Sequence, residues 1–414
     1  MKQSKLFGKT RRDISKDEKS INAELLIKAG FIEKHMAGVY NYLPLGLKVF
    51  RKVENIIREE MDAVDGQEML MTALQPKELW DKTGRWSEME DIMYQFEDGH
   101  GSEVGLATTH EEVVTELAKQ QIKSYRDLPI YIYQIQDKFR NEKRAKSGLL
   151  RGREFSMKDL YSFHTDEKDL DKYYFRVHDA YLTIFKRMGL EAFSVEASGG
   201  SMSKQFSHEF MVKTEAGEDI TVLCNKCAWA QNKEIAEIKA GDKCPKCGAK
   251  TEEAKTVEAG NIFRLGTKYS ESLGLRYTNE EGKMQNVLMG SYGIGLGRVM
   301  GTIVEASHDK DGIIWTKSTT PYHVHLLNLS KNDKTNEQAD KVYEKLRENG
   351  IEVLYDDRDI SFGKKLKDAD LLGNCIQLII SDKQEELELI YRKDHSKELL
   401  NLDSAIKKIN EFYK

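Results

Sequence analysis

DKFRNEKRAKSGLLRGREFSMKDLYSFH, residues 137–164, joins two strand-like runs through a loop that is rich in positive charge. The preceding segment IYIYQIQDKFR alternates β-branched and aromatic residues with polar ones, a pattern that predicts a strand ending at Arg140. EFSMKDLYSF predicts a second strand, which Arg151 and Arg153 open. Two glycines punctuate the loop between the strands, so the segment predicts a hairpin with a long tip.

The basic residues of this hairpin suggest a polyphosphate ligand. Eight Lys or Arg stand against three acids between residues 137 and 158, and the basic ones are Lys138, Arg140, Lys143, Arg144, Lys146, Arg151, Arg153 and Lys158. A sheet that carries guanidinium groups into a cleft suits phosphate, because the planar fork binds two oxygens at once and keeps its charge. A solvated basic hairpin or a plain nucleic-acid contact is the alternative, since charge runs commonly form wet faces.

A glycine-rich segment supplies a second arginine far along the chain. MGSYGIGLGR, residues 289–298, is followed by VMGTIVEAS, which predicts a strand, a turn and a helix with Arg298 in its first turn. The phosphate-loop pattern and the Rossmann fingerprint are both absent from the sequence, and the helix also fits an ordinary core. Arg140 and Arg298, on separate elements, can hold the α- and γ-phosphates of one nucleotide.

The segment ATTHEE, residues 107–112, precedes a helical run, VVTELAKQQI. Thr108 or Thr109 followed by acids predicts a helix N-terminus, where a capping role is one interpretation. The other gives Thr109 and Glu111 a substrate ammonium group, with a hydroxyl and a carboxylate as acceptors.

These segments resemble the signature motifs of class II aminoacyl-tRNA synthetases, in the form found in bacterial prolyl-tRNA synthetases. Residues 37–61 resemble motif 1, a long helix that leads into a strand at the dimer interface, with Pro44 as its proline. The hairpin resembles motif 2, and MGSYGIGLGRVMGTIVE resembles motif 3. LATTHEEVVTEL resembles the T-x-E loop that binds the proline imino group. SHEFM (207–211) and NIFRLGTKYS (261–270) also match, so the resemblance covers nearly the whole chain.

The resemblance implies a role for each matching residue. Arg140 would bridge the ATP α-phosphate and the proline carboxylate, while Arg151 and Arg298 would hold the γ-phosphate or pyrophosphate. The residues expected around proline are Thr109, Glu111, Arg140, Met157, Asp159, His208 and Ser291. The residues expected around ATP are Arg140, Glu142, Arg151, Phe155, Arg264, Thr267 and Arg298, with Glu209 as a Mg²⁺ ligand.

Two of these roles have a structural alternative. Glu142 would accept from the adenine amino group, or else form a surface pair with Lys143 or Arg144. Phe155 would stack on adenine, although an aromatic side chain on a strand is also typical of a core. Three positions depart from the usual family residues: Arg264 replaces a glutamine, Asn261 a histidine, and Ser291 a cysteine.

Four of the five cysteines fall as Cys224-x2-Cys227-x16-Cys244-x2-Cys247. This spacing is typical of a tetrathiolate zinc site, and such a closed site is structural because it leaves no position for a water. Cys375, in the apolar run NCIQLII, is expected to be a small core residue.

The resemblance also implies a domain plan. The fold class is an α+β class II catalytic domain, an antiparallel sheet flanked by helices, formed by residues 1–212 and 258–318. Residues 213–257 hold a zinc-ribbon insert where many bacterial relatives carry an editing domain that hydrolyses alanyl-tRNA. Strands and helices alternate over residues 319–414, which predicts a small α/β anticodon-binding domain, with Arg358 and Lys365 as candidate anticodon contacts.

Composition agrees with this plan. A chain of 414 residues with 39% hydrophobic residues can form about two to three soluble domains. No apolar run approaches the roughly 20 residues of a membrane span, and the N-terminus lacks the apolar region of a secretory signal, so a cytoplasmic protein is expected. The net charge is −5, so tRNA must bind through local basic patches and its binding should depend on salt.

The function expected from the resemblance is a homodimeric proline–tRNA ligase. It would use ATP, Mg²⁺ and L-proline to make prolyl-adenylate, charge tRNA(Pro), and hold structural zinc. Two alternatives stay open at this point. One is a class II synthetase for another amino acid such as threonine. The other is a non-catalytic paralogue, although that class usually loses a motif arginine or the anticodon domain.

Overall fold

The computed structural model describes residues 1–14, 18–143, 145 and 147–414. Two basic residues of the hairpin, Arg144 and Lys146, therefore lie outside the described residues. The chain forms two compact units, one of residues 1–35, 40–52 and 303–414, and one of residues 36–39 and 53–302.

The helices of the described residues are α1 Ile21–Lys28, α2 Pro44–Ala63, α3 Lys77–Asp81, α4 Arg85–Glu88, α5 Glu111–Gln121, α6 Glu167–Arg187, α7 Lys268–Leu273, α8 Leu296–Ala306, α9 Asp333–Glu348, α10 Phe362–Leu372 and α11 Leu402–Tyr413. The strands are β1 Ile32–Met36, β2 Val39–Tyr42, β3 Gln67–Glu68, β4 Leu74–Pro76, β5 Gln95–Glu97, β6 Glu103–Leu106, β7 Ile130–Phe139, β8 Glu154–His164, β9 Ala192–Ala197, β10 Ser207–Lys213, β11 Asp219–Cys224, β12 Ala230–Asn232, β13 Thr251–Gly266, β14 Arg276–Thr278, β15 Met284–Asn286, β16 Leu288–Gly295, β17 Val324–Leu329, β18 Val353–Asp356, β19 Ile376–Ser381, β20 Leu387–Tyr391 and β21 Lys397–Leu400.

A nine-stranded sheet in the order β10-β9-β12-β11-β13-β16-β8-β7-β3 organises the larger unit. Its strands pair antiparallel except for β12 with β9 and β3 with β7. The predicted hairpin is confirmed, because β7 and β8 pair from Ile130 opposite Phe163 to Phe139 opposite Glu154. Arg140 therefore leaves the end of one central strand, and the loop arginines precede the start of the next.

Helix α6 covers one face of this sheet. Its apolar residues recur every three or four positions, which places them on one side of the helix. That side packs against β8, β9, β13 and β16 and buries several aromatic rings. Asp166 caps the helix by accepting from the backbone N–H of Asp169 at 2.9 Å. The other face of the sheet is left for the functional cavity.

The strand-to-helix segment is also as predicted. Strand β16 runs directly into α8, so Arg298 lies in the first turn of that helix. Gly290 of this strand has no room for a side chain, since a Cβ atom there would lie 2.4 Å from Tyr292 Oη and 2.7 Å from Ser162 Oγ. The glycine pattern is thus partly a packing requirement of the sheet.

The smaller unit contains a five-stranded mixed sheet in the order β18-β17-β19-β20-β21. Strand β17 is parallel to β18 and β19, whereas β20 and β21 are antiparallel. Apolar residues of these strands and of α9 and α11 form its core, and Cys375 is buried as predicted. The α/β prediction for the C-terminal segment is confirmed.

The N-terminal residues belong to this smaller unit. The backbone N–H of Tyr355 donates to the Met1 carbonyl at 2.9 Å, and that of Ser4 donates to Asp357 Oδ1 at 2.8 Å. The smaller compact unit therefore includes residues 1–35 together with the C-terminal segment. No helix in the described part of the chain is long and apolar enough to cross a membrane.

Candidate active site

A cavity of about 370 Å³ opens on the uncovered face of the large sheet. It collects residues from the hairpin, the T-x-E segment, β13 and the β16–α8 junction. Of the predicted site residues, those that line it are Thr109, Glu111, Arg140, Glu142, Arg151, Phe155, Met157, Asp159, Ser291 and Arg298. Segments far apart in sequence thus converge on one site.

Arg140 presents a positive charge to the cavity without a carboxylate partner among the described residues. Its Nε and Nη2 atoms donate only to the carbonyl of Thr108, at 3.4 and 3.3 Å. Its guanidinium carbon lies 5.3 Å from the ring centroid of Phe155. Burial and the charge of Arg298 lower the pKa of Arg140. An anion that enters this cavity would relieve both effects.

The other two arginines are held by acids. Arg298 donates to the Leu150 carbonyl at 2.9 Å and to Glu258 Oε2 at 3.0 Å. Arg151 donates to Glu142 at 3.0 Å and to Glu218 at 2.9 Å. A phosphate that binds these arginines must share them with the carboxylates or displace them.

Of the two basic residues expected to pair with Glu142, Lys143 is described and pairs with another acid. Lys143 instead pairs with Asp91 at 2.9 Å, and Arg144 lies outside the described residues. Glu142 pairs with Arg151 at the edge of the cavity. Glu142 therefore lines the cavity as a carboxylate acceptor beside Arg151.

Glu111 also lines the cavity and is 1% exposed. Its Oε2 atom accepts from the Thr109 hydroxyl at 2.5 Å, and its Oε1 atom accepts from the Ser291 hydroxyl at 3.0 Å. Helix α5 begins at Glu111 with His110 as its N-cap, so the threonine side chains do not cap it. The hydroxyl of Thr109 is instead bonded to Glu111. This pairing is the one needed if both residues bind a substrate ammonium group.

Asp159 lines the cavity and is contacted by several protein groups. Its carboxylate contacts Lys138 at 2.7 Å, and it accepts from Gln134 and Tyr161, each at 2.9 Å. Burial lowers the pKa of Lys138, which the contact with Asp159 opposes. The backbone N–H of His110 also donates to the Tyr161 hydroxyl at 3.1 Å. This network fixes the floor beneath the T-x-E segment.

Four predicted residues do not line the cavity. Arg264 faces helix α6, where it pairs with Asp171 at 2.5 Å and stacks 3.7 Å from the Tyr174 centroid. Side chains alternate along a strand, so its neighbour Phe263 takes the cavity side. His208 is hydrogen-bonded to the Tyr174 hydroxyl at 2.7 Å, and burial lowers its pKa to about 4. Thr267 precedes α7 as its N-cap residue.

Glu209 is the fourth of these residues. It accepts from Asn232 at 3.1 Å and from Asn261 at 3.5 Å. Burial and the nearby charge of Glu258 raise its pKa to about 8. Glu258 itself pairs with Arg298 at 3.0 Å, and Glu209 offers carboxylate oxygens of the kind that hard cations such as Mg²⁺ prefer.

Several residues that line the cavity were not predicted from the sequence. Arg85 and Glu258 carry no motif signal, and their partners are distant in sequence. Ser201 and Met202 belong to the sequence SMSK, which is a loop in the structure, yet both line the cavity. The glycines flanking that loop were the available signal that its backbone approaches a site.

The four spaced cysteines converge at the tip of the segment built from β11, β12 and the start of β13. Their sulfur atoms all lie within 4.8 Å of one another, with Cys224 to Cys247 at 3.5 Å and Cys227 to Cys244 at 3.6 Å. A tetrahedral zinc with Zn–S bonds of about 2.3 Å spaces its sulfurs by about 3.8 Å. The donor set and its spacing therefore fit structural zinc.

The candidate anticodon residues lie at the end of the C-terminal sheet. Arg358 binds Asp356 through two bonds of 2.8 and 2.6 Å and also contacts Asp368 at 3.0 Å. Lys365 is 3% exposed, and its Nζ atom donates to the carbonyls of Asn328 and Asp356 at 2.8 and 3.1 Å. Lys365 would have to move before it could contact RNA.

Family models match both segments of the chain. The class II tRNA synthetase core domain (G, H, P, S and T) matches residues 94–307, and the anticodon binding domain matches residues 323–412. The solved prolyl-tRNA synthetase of Giardia lamblia, in complex with prolyl-adenylate, shares the fold with a TM-score of 0.78. That match has 16% identity and covers 95% of this chain and 79% of the other.

Curated relatives named proline–tRNA ligase match this chain at higher identity. The proline–tRNA ligase of Halothermothrix orenii is 33% identical over 562 aligned positions, covering 99% of both chains. That of Geotalea daltonii is 34% identical, covering 99% of this chain and 98% of the other. The alignments are longer than the 414 residues of this chain, so these relatives contain a substantial stretch with no counterpart here. Identity of this size over nearly the full length means that the chain belongs to the prolyl-tRNA synthetase family of class II tRNA synthetases.

Proposed function

We infer that this chain is a proline–tRNA ligase. It activates L-proline with ATP, giving prolyl-adenylate and pyrophosphate, and transfers proline to the 3′-end of tRNA(Pro). The observation that carries this inference is the cavity lined by Arg140, Arg298 and Glu111 together, in a chain of this family. The cations suit ATP and the carboxylate of the amino acid, and Glu111 suits its ammonium group.

Arg140 is the proposed catalytic residue for the first step. A proline carboxylate oxygen attacks the α-phosphorus, and the bond from that phosphorus to the pyrophosphate oxygen breaks. Negative charge builds on the α-phosphate oxygens during this exchange, and a fixed guanidinium stabilises it. Arg140 has no competing carboxylate among the described residues, so its charge is available to the reacting groups.

Arg298 and Arg151 are proposed to hold the γ-phosphate and the departing pyrophosphate. Both lie in the cavity, and both exchange acidic partners for phosphate when ATP binds. Glu142 would accept from the adenine amino group, and Phe155 would present its ring to the base. Positioning of these groups, without a covalent nucleophile, accounts for the chemistry.

The proline ring is proposed to lie between Glu111 and Met157. Thr109 and Glu111 would bind the secondary ammonium, and Ser291 would contact the ring from β16. Asp159 acts through Lys138 and Tyr161 to fix the pocket floor. Because His208, Arg264 and Thr267 do not line the cavity, we propose supporting roles for them through Tyr174 and α7.

Mg²⁺ is proposed to bind near Glu209 and Glu258. The ion would neutralise part of the charge of the triphosphate when bound.

The proposed architecture keeps the boundaries expected from the sequence: a catalytic domain of residues 1–212 and 258–318, a zinc-ribbon insert of residues 213–257, and an anticodon-binding domain of residues 319–414. A homodimer is proposed through residues 37–61, most of which belong to the long helix α2, Pro44–Ala63.

Proline-dependent ATP–pyrophosphate exchange with the purified protein tests this function. We expect exchange with proline to exceed that with threonine and the other standard amino acids, and we expect tRNA(Pro) to be charged. Exchange that depends on a different amino acid would reassign the substrate. A protein that binds ATP but exchanges with no amino acid would instead support the non-catalytic alternative.

The ribbon prediction concerns metal content. We expect about one zinc per chain in protein prepared under reducing conditions, bound by Cys224, Cys227, Cys244 and Cys247. Cys244→Ser should lower the zinc content and loosen residues 213–257, because metal binding contributes directly to the folding of such sites. Elemental analysis and limited proteolysis measure both effects.

Cys375→Ser is the matched control for the zinc measurement. Cys375 is buried elsewhere and donates to the Trp315 carbonyl, so its replacement should leave the zinc content unchanged. Wild-type protein without zinc would refute the ribbon assignment.

A further inference from the structure

A buried cluster of one cation and two anions lies beside the T-x-E segment. Arg85, Glu111 and Glu112 are 4%, 1% and 0% exposed. Arg85 Nη1 lies 2.9 and 3.0 Å from the two carboxylate oxygens of Glu112 and 3.7 Å from Glu111 Oε2. Thr83 also donates to Glu112, at 2.9 Å. The two glutamates therefore differ in their partners, since Arg85 binds Glu112 directly and only approaches Glu111.

The charges of this cluster sum to −1 when all three groups are ionised. Two neighbouring buried carboxylates cannot both stay ionised at neutral pH without a cation, because burial and mutual repulsion each favour protonation. Burial raises the pKa of Glu112, and the charge of Arg85 opposes that effect. The guanidinium keeps its own proton throughout the physiological range. One negative charge is thus left over, which matches one substrate ammonium.

The position of Arg85 is fixed by aromatic rings. Its guanidinium carbon lies 4.9 Å from the ring centroid of Trp80 and 5.4 Å from that of Tyr269. Both rings belong to residues that are fully buried. Arg85 also lines the cavity in this arrangement. Its guanidinium therefore has a fixed position relative to Glu111 and Glu112.

The other charged groups near Glu111 are engaged elsewhere. Lys138 pairs with Asp159, and burial and Lys138 lower the pKa of His110 to about 4, so its ring is neutral. Arg140 is the exception, because it has no carboxylate partner among the described residues and the charge of Glu111 acts on it; it is proposed to bind the anionic groups of the substrates. The tyrosines that sense the charge of Glu111 are Tyr161 and Tyr269, whose pKa values are raised by burial, so both are neutral. The first turn of α5 adds a partial positive charge beneath both glutamates.

We propose that Arg85 is a positioning residue that pairs with Glu112, so that the Glu111 carboxylate is left unpaired by that arginine and oriented to bind the secondary ammonium of the amino-acid substrate. The inference rests on the proposed function of the site. It adds that binding of this ammonium depends on a charge balance among three buried groups and not on Glu111 alone.

Variants that remove one charge or both charges of the Arg85–Glu112 pair test this balance. The measured quantity is the KM for proline in pyrophosphate exchange. Arg85→Met leaves two carboxylates without their cation, so one takes up a proton. The KM for proline rises by about tenfold or more at pH 7, which corresponds to a carboxyl pKa raised to at least about one unit above the assay pH. Because the shifted carboxyl pKa is raised, binding is weak below that pKa and recovers as the pH rises through it. The KM for ATP should change by no more than about twofold, since neither glutamate faces the phosphates.

The double variant separates charge from structure. Arg85→Met with Glu112→Gln restores a net charge of −1, so the KM for proline should return towards the wild-type value and lose its pH dependence. Glu112→Gln alone, which is isosteric, leaves Arg85 to pair with Glu111 and should also raise the KM for proline. Arg85→Lys keeps the charge and should lie closer to wild type than Arg85→Met.

Two results would overturn the inference. One is a wild-type KM for proline in both Arg85→Met and Glu112→Gln. The other is a double variant no better than Arg85→Met, which a merely structural arginine would give. Thermal unfolding of each variant shows whether it is folded, and the isosteric Glu112→Gln keeps the test open if Arg85→Met is not. Wild-type protein without proline-dependent exchange would instead refute the proposed function itself.

Discussion

Replacing Arg140 by alanine is expected to abolish adenylate formation while the fold is kept. The variant should lose at least about 10³-fold in kcat/KM for proline-dependent pyrophosphate exchange, because it removes a charged donor from the reacting phosphate. The structural cost should be small. Among the described residues the guanidinium donates two long bonds to one carbonyl and has no carboxylate partner, and its charge is opposed by that of Arg298.

Controls for Arg140 distinguish chemistry from general damage to the loop. Lys143→Ala changes an exposed cation of the same loop, paired only with Asp91, and should stay within about twofold of wild type. Arg140→Lys keeps the charge but loses the fork and should be intermediate at best. Thermal unfolding reports on the fold of all three. Full exchange activity in Arg140→Ala would refute the motif 2 assignment.

The elements of the site could be predicted because their signals are local. Alternation and glycines predicted the hairpin that ends at Arg140, and a change of period predicted the helix that carries Arg298. The spacing of four cysteines predicted a cluster that the structure brings together. In each case a short run of residues determines the local backbone, so one sequence suffices.

The partners of buried charges could not be predicted in this way. Arg85 pairs with a residue 27 positions away and Arg298 with one 40 positions away. Such pairs depend on which elements become neighbours in the fold, and the local sequence pattern does not determine those neighbours. Arg264 illustrates the same limit, because its motif matched the family while strand alternation turned its side chain towards α6.

The second large effect concerns alanine. We expect alanine to be activated at about 10² to 10⁴ below the rate of proline, because a pocket for proline rejects alanine mainly through the lost contact of the ring methylenes. Each methylene contributes only about 0.8 kcal/mol on burial. Exchange assays with each amino acid at saturating ATP measure this ratio, with amino-acid stocks freed of contaminating proline.

The alanyl-tRNA formed in this way is expected to persist. All of residues 213–257 are described by the structure. They form β11, β12, the start of β13 and the cysteine knuckles, and they contain no large domain that could serve for editing. A cavity at the base of this segment, partly lined by Glu218 and Asp219, holds about 160 Å³. Small-molecule sites usually hold about 300–1,000 Å³, so this cavity does not suit the end of a charged tRNA.

A deacylation assay with preformed alanyl-tRNA(Pro) decides the matter. We expect the wild-type chain to release alanine no faster than buffer does, and prolyl-tRNA(Pro) serves as the matched substrate. Hydrolysis of the alanyl form well above the spontaneous rate would mean that the chain contains an editing activity. Repeating the assay with Cys244→Ser would then test whether the ribbon supplies it. A loss of hydrolysis with exchange intact would locate the activity in residues 213–257, whereas unchanged hydrolysis would locate it in the catalytic domain.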